Sequence, residues 1–365
     1  MESVLDMNTI FSEKEWKEVN EKYDKESIKD SILKRIRDRK MELPYPKVGS
    51  VDAIEDFWKL QAQHTAHWKH GDFYLKYNYK YPHGDVFIDT PTIGNKSSNY
   101  FHQENRMKCD SLNSPSPDRV WKTDKFMKTL FGSLWTMNVK EVTSKTLWTS
   151  IVLRKYVASQ FKPLVAKTIY DRYKSKNILD FSMGWGDRLA GFFASDAKRY
   201  VGTDPNTALQ KSYSEQISRY CSYTSDKEVI FRDKPAEEMV YTKEEFDTIF
   251  TSVPYFDTER YSTEDTQSWV RYKDLGEWLH NFLFESIERA WLALKRDGVM
   301  LINLSDVYGH HQIQRMCDPM NEFIEGLDGA EYEDCIGMRM AKRPNQNTHR
   351  EGTYCEPIWV WRKVL

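Results

Sequence analysis

Three short polar runs, each closing an apolar stretch, carry the residue types that could do chemistry. The first is Asp180-Phe181-Ser182-Met183-Gly184-Trp185-Gly186-Asp187-Arg188-Leu189. Glycines at a strand-to-helix turn let backbone approach a ligand closely, and an open α/β sheet binds ligands beyond the carboxyl ends of its strands. The second, Gly202-Thr203-Asp204-Pro205-Asn206, follows about twenty residues on, where a carboxylate can accept hydrogen bonds from ribose hydroxyls. Together they point to a nucleoside-containing cofactor. A nicotinamide or flavin dinucleotide fits less well, because the third glycine of that fingerprint is missing and Trp185 stands where a pyrophosphate would approach. A tight turn and a polar strand end with no ligand is the plain alternative. The third run, Ser252-Val253-Pro254-Tyr255-Phe256, sets a hydroxyl, a rigid turn and two rings side by side.

These runs need a frame. From about Ser150, helical patterns alternate with short apolar strands, the signature of βαβ units and of an α/β sheet with helices on both faces. Strands are predicted at NILDF (177–181), RYVGTD (199–204), EVIFRD (228–233), DTIFTSV (247–253) and VMLINL (299–304). The three polar runs then fall at the ends of the first, second and fourth. YVASQFKPLVAKTIYDRY and LHNFLFESIERAWLALKR are predicted helices, and a hairpin over Tyr332–Cys335, Gly337–Met340 and PIWVWRK closes the chain. Toward the N-terminus, Ile28, Ile32, Leu33 and Ile36 lie at helical spacing, residues 51–70 form a second helix, and YLKYNYKY alternates as a strand does. Gly, Pro, Asn and Ser between Pro82 and Pro117 predict long loops. The chain divides into a mixed α+β domain over 1–150 and a Rossmann-like domain over 151–365.

At the end of the fourth strand, Ser252-Val253-Pro254-Tyr255-Phe256 resembles the Asp/Asn/Ser-Pro-Pro-aromatic motif of class I S-adenosylmethionine-dependent amino-methyltransferases acting on nucleic-acid bases. The resemblance covers roughly residues 155 to 365. Phe161-Lys162-Pro163-Leu164-Val165-Ala166 is similar to the family's cofactor-flanking motif, and Glu356-Pro357-Ile358-Trp359-Val360 to its terminal strand. The departure is Val253, where the family has proline.

The resemblance implies S-adenosyl-L-methionine as cofactor and the exocyclic amine of cytosine or adenine as acceptor. It implies cofactor contacts from Phe161, Pro163, Asp180, Ser182, Gly184, Gly186, Asp204 (ribose), Pro205 and Asp233 (adenine). Ser252 and a Val253 or Pro254 carbonyl would accept the amine hydrogens, with Tyr255 and Phe256 beside the base. Positioning supplies the rate, and a base in a duplex must first be flipped out. Asp257 and Glu259 would shape the base pocket or be plain surface charge. DNA is expected over RNA, in a layout resembling a phage, viral or bacterial modification system.

Length and charge set the remaining bounds. At 365 residues, 40% hydrophobic and 30% charged, the chain reads as about two globular domains. No apolar run spans a bilayer and the N-terminus lacks a signal pattern, so an intracellular protein without membrane association is expected. The five cysteines are scattered and read as reduced thiols. Residues 101–200 hold 18 Lys+Arg against 9 Asp+Glu, +9 in a chain of net −2, so the rest is −11. Such a block suits a polyanionic partner. Recognition is expected in 1–150; the interleaved rings and cations of residues 68–81 would suit stacking on bases with lysines on phosphates, although an aromatic strand packed on one face is the favoured reading of that segment. The basic stretch Arg154, Lys155, Lys162, Lys167, Arg172, Lys174 and Lys176 would add to it. His64, His67 and His70 share one helix side, but methyl transfer needs no metal and none is expected. His310-His311 reads as a loop. The rival from another class is a nucleic-acid-binding or assembly protein keeping the fold without turnover, with Val253 in its favour. A small-molecule methyltransferase ranks third.

Overall fold

The computed structural model describes residues 8–224, 226–341 and 351–365; residues 1–7, the first part of the stretch 1–16 over which the absence of a signal pattern was read, lie outside them. Two compact units emerge, each from two pieces of chain: residues 1–47 with 104–159, and 48–103 with 160–365.

In the second unit, runs such as Ile178-Leu179 and Met300-Leu301-Ile302 are wholly buried, as strands covered on both faces must be. They belong to a ten-stranded sheet. Its strands are β1 (Trp68–His70), β2 (Phe73–Leu75), β3 (Val86–Ile88), β4 (Asn177–Asp180), β5 (Arg199–Thr203) and β6 (Glu228–Arg232). The remaining four are β7 (Phe246–Ser252), β8 (Leu294–Asn303), β9 (Ala330–Arg339) and β10 (Thr353–Lys363). Their order is β1-β3-β9-β10-β8-β7-β4-β5-β6, with β2 alongside β10. From β8 to β6 every pairing is parallel, whereas β10 lies antiparallel between β8 and β9. Helices flank the sheet, among them α1 (Asn95–Arg106, in this unit as far as Gln103), α2 (Pro163–Arg172), α3 (Asp187–Ala194) and α4 (Gln210–Cys221). The chain runs outward from β4 through β5 to β6, then returns to β7 on the other side of β4. That reversal is where an open sheet leaves a crevice for a ligand.

The expected α/β fold and its five core strands are therefore present, with ends moved by one residue except at β8, which begins five residues earlier than expected. Other expectations are corrected. α2 starts at Pro163, not Tyr156, because proline without an N–H is suited to a first helical position. Leu294 to Arg296 leave the predicted long helix to begin β8. Of YLKYNYKY only the first residues are strand; Tyr79 and Tyr81 pack against Trp359 and Trp361. The loop predicted over Pro82–Pro117 contains α1, whose buried stripe of Ser97, Ser98, Phe101 and His102 is too polar to show apolar periodicity. The helix over 51–70 stops at Gln61. His67 ends a 3₁₀ turn and His70 lies on β1, so the histidines share no helix face; His67 bonds Gln63 (3.0 Å) and His70 faces Asp85 (3.3 Å).

The boundary expected at residue 150 also shifts. Val48–Gln103 belongs with the sheet because β2 pairs with β10 and β3 with β9. The other unit is mostly helical, and its core joins Ile28, Ile32, Leu33 and Ile36 of helix Lys25–Asp38 to Trp121, Phe131 and Leu147. No helix of the described residues is long and apolar enough to cross a membrane. The cysteines are unbridged, and all but Cys221 are buried.

Candidate active site

A cleft opens beyond the carboxyl ends of β4, β5 and β7. It holds about 650 Å3 of space free of atoms, solvent at its mouth included. Ser182, Gly184, Asp204, Pro205, Ser252 and Pro254 line it, so six of the residues singled out in the sequence converge on one cavity.

Gly184 sits at φ +58°, and a Cβ there would meet nothing closer than the Ser182 carbonyl at 3.9 Å. Its N–H donates to Asp204 Oδ2 at 2.9 Å, while the Asn206 N–H donates to Oδ1 at 3.0 Å. Burial pushes the Asp204 carboxyl up to about 6, against the pull of those two donors. The site thus offers a carboxylate whose ionisation lies close to physiological pH. A proton bound more tightly in the folded chain than in the unfolded one means that this group weakens the fold above pH 6. The penalty is relieved as pH falls toward the ordinary carboxylate range.

Asp180, expected at the cofactor, lies behind the cleft. It is fully buried and accepts from Arg188 Nε (2.8 Å), Tyr200 (2.5 Å), Thr251 (2.9 Å) and the Ser182 N–H (3.2 Å). A buried carboxylate needs this company, and the cluster ties α3, β5 and β7 to the end of β4. Gly186, at φ +66°, serves packing: a Cβ would fall 2.2 Å from Gln216 Oε1 and 2.7 Å from His102 Nε2. Gln216 Nε2 donates to the Gly186 carbonyl (2.8 Å), so its Oε1 accepts from His102 Nε2–H (2.8 Å). Burial lowers the His102 pKa to about 4 and keeps the ring neutral.

Phe161 and Pro163 also pack instead of lining the cleft. The Phe161 ring lies edge-on to Phe250, with the Arg188 guanidinium 5.1 Å from its centroid, and the Pro163 carbonyl closes on Gly191. Asp233 is exposed and held by Gln210 at 3.0 Å. Pro235, Ala236 and Glu237 line the cleft in its place. Glu237 was not foreseen. Its Oε1 accepts from Arg271 (3.2 Å) and Tyr272 (3.3 Å); Oε2 is buried with no hydrogen-bond partner among the described residues, and burial raises the carboxyl's pKa.

On the facing wall, β7 and β8 pair in register at Ser252 and Asn303. The Ser252 hydroxyl donates to Asn303 Oδ1 at 2.9 Å, and Asn303 Nδ2 donates to the Pro357 carbonyl at 3.0 Å. The amide cannot turn over without losing the second bond, so the Ser252 proton is fixed and its oxygen is left as an acceptor. Asn303 was also missed; a polar residue ending a buried apolar strand, as Ser252 does, was the available signal. The Tyr255 hydroxyl donates to Glu356 Oε1 (2.7 Å) and reaches Asn303 (3.4 Å), leaving its ring half-buried. Phe256 does not face the cleft: at φ +52° it is buried on Trp278 and His310. Val253 is buried in the core, which explains an apolar residue there without recourse to chemistry.

Asp257 and Glu259 are buried, not surface charge; Asp257 pairs with His310 at 2.9 Å. His310 and His311, both at positive φ, turn the hairpin between Val307–Gly309 and Gln312–Gln314, as primed turns require. In the basic stretch Lys167 is buried against Asp171, and Arg172 stacks over Trp68.

No protein-family model and no curated protein matches this sequence. Among solved structures, it is similar to a SAM-dependent O-methyltransferase from Thermotoga maritima at 13% identity and TM-score 0.36, over 59% of this chain and 71% of that one. It is similar to an rRNA methylase from Streptococcus thermophilus at 16% identity and TM-score 0.34, over 56% and 98%. A third is TrmN from Thermus thermophilus, at 12% identity and TM-score 0.36, over 61% of this chain and 54% of that one. Scores of this size carry no argument about activity; the fold stands on the sheet itself.

Proposed function

We propose that this chain transfers a methyl group from S-adenosyl-L-methionine to the exocyclic amine of cytosine or adenine in a nucleic acid, DNA before RNA. The observation that carries the reading is the convergence of Gly184 and Asp204 with Ser252 and Pro254 on one cleft. A nucleoside-binding wall thereby faces an acceptor of amine hydrogens.

The residues fit the cofactor. Asp204 would hold ribose hydroxyls, the space above Gly184 admits close approach, and Glu237 Oε2 is a buried acceptor with no hydrogen-bond partner among the described residues. When bound, the cofactor supplies an electrophilic methyl on a sulfonium. An aromatic amine is a poor nucleophile because its lone pair is delocalised into the ring. Ser252 Oγ, its own proton held by Asn303, accepts one amine hydrogen, and a Val253 or Pro254 carbonyl a second, which turns the lone pair toward the methyl. Tyr255 packs against the core beside this wall instead of lining the cleft, and its hydroxyl, on Glu356 and Asn303, helps hold the Ser252 partner in place. Orientation of this kind contributes more than a strong base would.

The test is transfer of labelled methyl to DNA and RNA oligonucleotides, with mass spectrometry of the nucleosides. An N4-methylcytosine or N6-methyladenine in either polymer supports the reading, and label in DNA supports the finer one. No label, with cofactor bound, sinks it in favour of a non-catalytic nucleic-acid binder.

Cofactor affinity should depend on pH with a definite sign. An ionised Asp204 is the better acceptor for hydroxyls, so affinity is expected to be flat above pH 7 and to fall below about pH 6, by up to about tenfold per unit. Calorimetric titration of the wild type and Asp204→Asn checks this: the variant should bind weakly and lose the pH dependence. A wild-type affinity unchanged down to pH 5 would remove Asp204 from the site.

A further inference from the structure

The mostly helical unit carries a broad groove, walled by residues 39–47 and by the start of helix Ser144–Arg154. It holds about 2150 Å3 of space free of atoms, solvent at its mouth included. Arg39, Lys40, Lys47 and Lys145 line it against a single carboxylate, Glu42. Glu42 is engaged by Lys47 at 2.6 Å. The Arg39 guanidinium donates to the neutral Thr9 carbonyl at 2.5 Å, and no carboxylate among the described residues forms an ion pair with it. Lys40 and Lys145 are exposed. Four cations against one anion leave a surplus of three positive charges on one concave wall.

Among these charges lie two half-buried rings, Tyr45 and Trp148, with centroids 6.3 Å apart and planes tilted by 58°. Tyr45 stands between Pro44 and Pro46, which fix φ and hold the residue before each in an extended conformation. Its ring is therefore presented by stiff backbone, at small entropic cost to a ligand that stacks on it.

We propose that this groove binds a single strand of nucleic acid, with a base against Tyr45 or Trp148 and phosphates near Arg39, Lys40 and Lys145. The inference takes from the function proposed above that the partner is a polymer of bases; the groove's own chemistry supplies the rest. Rings interleaved with cations form the stacking platform of single-strand binders. In a duplex the base faces are already stacked and cannot meet the rings. An acidic peptide would satisfy the cations and leave the rings unused.

The test uses the full chain without cofactor and labelled oligonucleotides of about a dozen nucleotides, matched to the span of such sites, read by fluorescence anisotropy. The single strand should bind at least about tenfold more tightly than the duplex of the same sequence. K40E/K145E should weaken binding by about tenfold or more and flatten its salt dependence. Trp148→Ala should cost about 5- to 150-fold, with Trp148→Phe retaining most of the affinity. Both lysines are exposed, so the charge reversals remain informative if the tryptophan variant unfolds. Equal binding of the duplex, affinity unchanged in K40E/K145E, or competition by polyglutamate as effective as by unlabelled strand would each overturn the proposal. Strand binding without methyl transfer would sink the proposed reaction alone. Methyl transfer with strand binding indifferent to these variants would sink the groove alone.

Discussion

Replacing Ser252 with alanine is expected to lower methyl transfer by about 10²- to 10³-fold, the range for removing one preorganised polar group that acts on the reacting atoms. Cofactor affinity should be unchanged, because Asp204, Gly184 and Glu237 are untouched. Asn303→Ala should cost less, about tenfold, since the hydroxyl survives but turns freely. Single-turnover transfer beside calorimetric cofactor binding measures both. The ordering carries the meaning: if Asn303→Ala is harmless while Ser252→Ala is crippling, the fixed proton is not what makes the serine an acceptor. If Ser252→Ala is itself mild, the cleft does not use that wall.

The second large effect concerns stability. Gly186→Ala should destabilise the fold by about 2–5 kcal/mol, adding a left-handed backbone cost of about 1–2 kcal/mol to an overpacking cost of about 1–3 kcal/mol. Its Cβ would lie 2.2 Å from Gln216 Oε1. Gly184→Ala, with open space at the same atom, should show the backbone cost alone, about 1–2 kcal/mol. Thermal unfolding should separate them, the midpoint dropping by roughly 5–15 °C for Gly186→Ala and by a few degrees for Gly184→Ala. Equal shifts would mean that His102 and Gln216 do not crowd the turn.

The two glycines show how far sequence reaches. Residue type and spacing placed both at the right turn, but nothing in Gly-Trp-Gly says which lines the cleft and which faces a buried histidine more than eighty residues earlier in the chain. Asp180 and Asp204 differ in the same way. Both end strands, yet Arg188, Tyr200 and Thr251 converge on one and backbone N–H groups on the other. Core strands were legible because a buried parallel strand must be a short apolar run. Helix α1 was not, because its packed face is polar. Glu237 was hidden behind Asp233, since the turn at Pro235 decides which carboxylate enters the cleft. The allegiance of residues 48–103 could not be read either: a three-residue aromatic strand does not announce which sheet it completes.

That last allegiance sets a timetable for synthesis. The mostly helical unit has all its chain by residue 159, whereas β3, paired early with β1 on one side, finds its second partner only when Gly337 arrives opposite Phe87, 250 residues later. At about 5–20 residues per second on the ribosome, β3 waits roughly 12–50 s with its second edge unpaired. Strands left in that state are prone to join other chains, and short edges and charge are the usual protection. β1, β2 and β3 are each three residues long, and exposed Lys69 and His70 occupy β1. Their brevity is what lets the sheet be completed last without its first strands being lost to aggregation.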